Sequence, residues 1–224
     1  MTTVERRHRS AVVCEPTSTA RLGTAAAAVS AGRTVVLFDP ASGEANLVLA
    51  AEFATTAALA FMIRHTSGFV KVTVTEDECV RMQLPPMWAL PESTGCPDLA
   101  VTVDAVDGIG TGISATDRAR TIRTIADPAT GPAALSRPGH VAPVIARGTG
   151  AGLADAVVRI MRVAGVRPVG ALCELVSPSN ETAMASEAES IEFGRRHGLA
   201  FVSVNDVMRD AATSIASRFA TRLI

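Results

Sequence analysis

The chain has 224 residues, 48% of them hydrophobic and 19% charged, the composition of one globular domain with a sizeable core. A net charge of −1 leaves no electrostatic footprint for nucleic acid or an anionic membrane, and no apolar run approaches the length of a span. Four cysteines (Cys14, Cys79, Cys96, Cys173) form no CxxC pair, which argues against a zinc site and a disulfide framework. No apolar leader follows Arg6 and Arg7, so a soluble, cytoplasmic protein is expected.

Residues 1–16 carry no periodic signal and read as a flexible arm ahead of one domain, 17–224. Ser18 is the candidate cap of a helix to about Ser30, closed by Gly32. Thr34 to Phe38 is a short apolar strand, followed by a turn and a second strand, Asn46 to Ala50. Thr55 can cap a helix through Arg64 with Leu59, Met62 and Ile63 inward. Phe69 to Val74 then reads as a strand, and Thr75 with Glu78 as a capping box. Pro85 to Pro97 is a loop, Leu99 to Val103 a strand, and Ser114 caps a helix to about Ala126 with Asp117 as a second capping acid. Pro128 to Pro138 reads as another loop. A strand near Ala142 to Ala146, a helix Leu153 to Ala164, a strand Val169 to Val176, a helix Glu187 to His197, a strand Ala200 to Val204 and an amphipathic helix complete the pattern. Strands and helices intermix without strict βαβ order. The expected fold is therefore α+β, a single domain with mixed β-sheets and flanking helices. The run Gly108-x-Gly-x-Gly112 lacks the acidic residue and spacing of a dinucleotide fingerprint.

Four segments in order carry a resemblance: Ile63-Arg-His-Thr-Ser-Gly68, Thr111-Gly-Ile-Ser-Ala-Thr-Asp-Arg118, Arg137-Pro-Gly-His-Val141 and Gly170-Ala-Leu-Cys-Glu-Leu175. Together they resemble the 3,4-dihydroxy-2-butanone-4-phosphate synthases of riboflavin biosynthesis, over about residues 18 to 210. The resemblance implies that family's fold and a homodimer with active sites at the subunit interface. It also implies an ancestral reaction in which Mg²⁺ assists conversion of ribulose 5-phosphate to a four-carbon phosphorylated ketone and formate.

The resemblance breaks at the metal. Aligned on Ala50-Ala-Glu52, the family's first metal-binding glutamate falls on Ser42, its second glutamate on Glu44, and its aspartate on Asn46. The family's metal-binding histidine falls on Leu153, and the neighbouring threonine and glutamate on Ala154 and Asp155. Mg²⁺ needs hard anionic oxygens, which a serine hydroxyl and a leucine do not supply. No metal site is expected, and Mg²⁺ only if the ancestral activity survives. Where the family strand carries a cysteine, this chain has Lys71, its only lysine. An ammonium there can replace part of the missing cationic charge, or act as a nucleophile or general base on a carbonyl. A lysine snorkelling from a sheet edge is the plain alternative.

The candidate catalytic residues are Lys71, Glu44, Glu174, His65 and His140, and the candidate substrate-binding residues Arg64, Thr111, Ser114, Asp117, Arg118 and Arg137. Structural readings stand beside them: Glu174 as an arginine partner, His65 and His140 as braces, Thr111, Ser114 and Asp117 as cap chemistry. Arg118 and Arg137 suit either an anion or a neighbouring carboxylate. The pattern favours a metal-independent enzyme acting on a small carbonyl or enolisable metabolite in a specialised biosynthetic pathway, through an isomerase-, lyase- or cyclisation-type step. The alternatives are a non-catalytic pseudoenzyme that dimerises, and retained synthase activity with metal held by Glu44, Asp39 and water.

Overall fold

A computed structural model of the protein describes residues 16–87, 98–148 and 152–209. The elements are α1 (Ser18–Ser30), β1 (Val35–Asp39), β2 (Glu44–Ala50), α2 (Thr56–His65), β3 (Lys71–Thr75) and α3 (Glu76–Met82). They continue with β4 (Val103–Ala105), α4 (Ala115–Ala126), β5 (Leu135–Ala146), α5 (Leu153–Val163), β6 (Gly170–Glu174), α6 (Glu187–His197) and β7 (Phe201–Ser203). One mixed seven-stranded sheet runs in the order β4-β5-β3-β6-β2-β1-β7. It carries helices on both faces, because its central strands are apolar on both sides. Leu47, Val72, Val74 and Ala171 pack with α2, α3, α4 and α6, whereas Val35, Leu37, Val48 and Leu172 pack with α1 and α5. Among the described residues no helix is long and apolar enough to cross a membrane.

Pairing is parallel for β3–β5 and β1–β7 and antiparallel for β1–β2, β2–β6, β3–β6 and β4–β5. The start of β3, the end of β6 and the start of β2 therefore meet at one end of the sheet.

Several local expectations shift. Thr17, not Ser18, caps α1, its hydroxyl accepting from Ala20 N at 3.3 Å. The second strand begins at Glu44 rather than Asn46, because Glu44 pairs with Asp39 across the hairpin. The Thr75–Glu78 box is half made: Thr75 accepts from Glu78 N, but the Glu78 carboxylate turns to Arg81 and Arg167. Only a bridge to Val144 is made at Leu99, and the ladder of β4 begins at Val103.

The largest difference lies in residues 128–138. A strand already begins at Leu135 and continues through Arg137-Pro138-Gly139-His140. Pro and Gly read as a turn, yet the strand carries them as a bulge: Ser136 and Val141 pair with Asp104 and Val103 of β4, and the residues between need no ladder N–H. Glycine is required there: a Cβ at Gly139 would strike the backbone of Val103 and Asp104. The last helix is described over residues 204–209; the arm at 1–15, Cys14, Trp88 and Cys96 lie outside the described residues.

Candidate active site

The segment between α2 and β3 folds back on the end of β6. Ser67 N donates to Glu174 O at 2.8 Å, and Thr66 bridges Leu175. This fixes where β3 begins and places Lys71 directly opposite Leu172, two residues from Glu174 on the same face. The Lys71 ammonium and the Glu174 carboxylate form an ion pair, with side chains 11% and 18% exposed. Ser67 Oγ donates to the second carboxylate oxygen at 3.0 Å. Across the other edge of β6, Glu174 stands opposite Asn46, which is 1% exposed and whose Oδ1 has no partner among the described residues. Glu44 lies two residues further along β2 on that face.

Cys173, between Leu172 and Glu174, is on the opposite face. Thr66 Oγ1 donates to its sulfur at 3.0 Å and Ser67 Oγ lies 3.4 Å away. Burial pushes its thiol up, and the Glu174 charge adds to that, against hydrogen bonds from Ser67, Thr66 and Gly68. A neutral thiol in that setting is inert.

A second cluster is built where β5 passes β4. His140 Nδ1 lies 2.6 Å from Asp104 Oδ2, and Asp104 Oδ1 accepts from His140 N at 3.0 Å. An ionised carboxylate only accepts, so Nδ1 carries the proton and Nε2 is left as the free nitrogen of a 39% exposed side chain. Register places Ala142 beside Lys71, so His140 sits two residues earlier on the neighbouring strand. The Thr111-to-Ser114 turn folds over this dyad. Gly112, at φ +89°, has no room for a Cβ, which would strike Asp104 Oδ2 and His140 Nδ1.

Ser114 caps α4 by accepting from Asp117 N at 3.0 Å, and Asp117 Oδ2 accepts from Gly112 N at 3.1 Å. Burial would raise the Asp117 carboxyl, but hydrogen bonds from Gly110, Gly112 and Ser114, with His140 nearby, hold it below its ordinary value. Asp117 thus anchors the turn, where the sequence had it as a cap. Thr111 is exposed at the rim.

Arg118 links the clusters. It is 6% exposed, donates to Gly68 O at 2.8 Å, and leaves its Nε unpartnered among the described residues. Burial lowers its pKa, while the Cys173 and Asp104 sites on either side oppose that shift.

Three candidates go elsewhere. His65 packs with Phe61, Phe193 and His197, at centroid separations of 4.7, 5.3 and 5.2 Å, and Arg64 lines the same cavity of about 410 Å³. Neither joins Lys71, because the last turn of α2 faces α6. Arg137 donates to the carbonyls of Met82, Leu135 and Pro132 at 2.6, 2.9 and 3.3 Å, which is a brace for β5 and not a carboxylate pair. Conversely Ser67, Asn46, Cys173 and Asp104 were not singled out. Ser67 and Cys173 stand inside the quoted motifs, and Asn46 was visible only as a replaced aspartate. Asp104 had no sequence signal.

The side chains at Ser42, Leu153 and Ala154 supply no ligand set for a divalent metal. Ser42 is exposed and tied into its own turn, accepting from Glu44 N at 3.3 Å. Leu153 and Ala154 open α5 with apolar side chains. Among the described residues no three His, Cys, Asp or Glu side chains gather to hold an ion.

The model of the family described as 3,4-dihydroxy-2-butanone 4-phosphate synthase matches residues 23–210. The chain belongs to this family. The riboflavin biosynthesis protein RibBA of Salinispora arenicola is 45% identical over 190 residues, covering 82% of this chain and 45% of that protein. RibBA of Rhodococcus erythropolis is 43% identical over the same length. The chain thus spans about half the length of these curated relatives. A solved 3,4-dihydroxy-2-butanone 4-phosphate synthase in complex with two magnesium ions superposes with a TM-score of 0.80 at 33% identity, covering 86% of this chain and 96% of that one. The two-domain synthase RibBX of A. baumannii gives 0.78 at 30%, covering 84% and 56%. The single mixed-sheet domain is thus the fold of the synthases.

Proposed function

We propose that this member of the synthase family is a metal-independent enzyme that enolises a small carbonyl compound lacking a sugar phosphate, for an isomerase-, lyase- or cyclisation-type step. The observation that carries the reading is the Lys71–Glu174 pair: the chain's one lysine is set beside a carboxylate at the strand ends where Ser67, Asn46 and Glu44 converge. Lys71 meets the carbonyl and offsets the charge that develops on it as the neighbouring C–H is broken. Glu174, aimed by Ser67, takes that proton. The free nitrogen of His140, oriented by Asp104, is the second group able to move a proton. Exposed Phe69 and Ile113 beside these clusters suit the interface of a homodimer, working in the cytoplasm.

The test is exchange of the C–H protons of dihydroxyacetone into D₂O, followed by NMR in the presence of EDTA. Exchange that ignores EDTA and falls about a hundredfold or more in Glu174→Gln supports the reading. Exchange that appears only with added Mg²⁺ rejects it.

One observation favours a second reading, retained synthase activity. Asp39 and Glu44 face each other across the β1–β2 hairpin, two carboxylates that together with water offer a weaker Mg²⁺ position.

A further inference from the structure

Asn46 is 1% exposed, and its Oδ1 lacks a hydrogen-bond partner among the described residues. A buried amide oxygen without a donor is expensive, and native structures rarely keep one without a reason. This oxygen is beside the functional pair. Asn46 is directly opposite Glu174 on β2–β6, and Lys71 is directly opposite Leu172, two residues before Glu174, so the three side chains share one face of the sheet. The face offers a primary amine, a carboxylate and an orphan acceptor within the reach of a molecule of a few carbons. The amine suits a carbonyl carbon, the carboxylate a C–H proton, and the acceptor a hydroxyl.

Deepening the reading proposed above, on which it rests, we infer that Lys71 forms a covalent imine with an α-hydroxy ketone or aldehyde whose hydroxyl donates to Asn46. The Lys71 ammonium first gives one proton to the Glu174 carboxylate. The free amine adds to the carbonyl carbon, the C–O bond breaks, and the oxygen leaves as water. The sum, ammonium plus carbonyl giving iminium plus water, balances in atoms and charge. Once its proton is returned, Glu174 removes a proton from the carbon next to the iminium, and the C–H electron pair moves in to give an enamine. Reprotonation at another carbon, or loss of a leaving group from the next one, gives the isomerase or lyase outcome, and water releases the product from Lys71. Ser67 keeps Glu174 aimed throughout, through its 3.0 Å bond to the other oxygen.

Because Lys71 is the only lysine, the chain's one other primary amine is its α-amine, which makes the test clean. The full chain is treated with 2,4-pentanedione, which converts a nucleophilic amine to a stable enaminone with loss of water, and the site is read by peptide mass. Rapid labelling at Lys71, abolished in Lys71→Arg, is expected. Labelling of Lys71 no faster than the α-amine overturns the inference. A second arm adds dihydroxyacetone with borohydride, which reduces an iminium to a secondary amine. One adduct on Lys71 is expected, and Asn46→Ala reduces its yield about tenfold while leaving 2,4-pentanedione labelling intact. Failure here is distinct from failure of the broader reading: EDTA-insensitive proton exchange without any Lys71 adduct keeps metal-independent enolisation and discards the imine. Absence of both discards both.

Discussion

The Lys71 ammonium reaches the Glu174 carboxylate diagonally across the β3–β6 pair, and Ser67 fixes the carboxylate's second oxygen. Both side chains are largely buried, so each charge depends on the other. Removing one partner of a buried pair leaves the other uncompensated, at a cost of about 3–5 kcal/mol, whereas replacing both with apolar groups is often neutral. Lys71→Met is expected to lower the urea midpoint sharply, and Lys71→Met with Glu174→Leu to recover most of the loss. Equal destabilisation by the single and double variants would show that the pair is not coupled in this way.

Gly112→Ala is expected to damage the second cluster more than the fold. The residue sits at φ +89°, and a methyl there meets Asp104 Oδ2 and His140 Nδ1. Strain of about 1–3 kcal/mol follows at a non-glycine residue in that conformation. Histidine NMR should show His140 leaving Asp104. An unchanged His140 resonance in a folded variant would contradict the placement of the turn.

His65 gives a pH dependence remote from the site. Burial lowers its pKa, with His197 and Arg64 adding to the shift; Arg196 and Glu181 line the same cavity. The unfolded chain therefore binds the proton more readily than the folded one. This contribution to stability is complete above the ordinary histidine value, about 6.5, and is lost as pH falls from there through the lowered folded value. His65→Phe is expected to flatten the decline in thermal midpoint between about pH 7 and 5. An equally steep decline in the variant would place the titration elsewhere.

Asp206 clamps α1 to the sheet edge. Its carboxylate accepts two bonds from Arg21, at 2.9 and 2.7 Å, and two from Ser203, at 3.0 and 2.8 Å. Burial works against the charge, but Arg21, Ser18 and Ser203 hold the carboxyl well below the usual range. Its stabilisation is present above about pH 4 and is lost as pH falls through the folded value. Asp206→Asn should cost about 2–3 kcal/mol at neutral pH and less in acid. Denaturation curves at both pH values decide it.

The strands and helices of the core were legible because their residues follow helix and strand periods and their caps use the Thr55 and Ser114 side chains. What escaped was decided by tertiary pairing. Arg137-Pro138-Gly139-His140 has turn chemistry, yet it lies in β5 as a bulge, because Ser136 and Val141 on either side of it pair with Asp104 and Val103 of β4. At the site, Lys71 and Glu174 were named from the motifs, but their contact depends on a β3–β6 register that no local pattern encodes. Asp104 is an aspartate in an unremarkable strand until β5 brings His140 to it. The same blindness grouped His65 with Lys71, although the end of α2 aims it at Phe193 and His197.

In the proposed reaction Lys71 and Glu174 do the chemistry, and no divalent cation is needed. Formate release from ribulose 5-phosphate is measured with Mg²⁺ and with EDTA, beside an authentic 3,4-dihydroxy-2-butanone 4-phosphate synthase as control. No Mg²⁺-dependent formate is expected from this chain under conditions in which the control yields it. Mg²⁺-dependent formate at a rate near the control's would contradict that reaction and favour retained synthase activity.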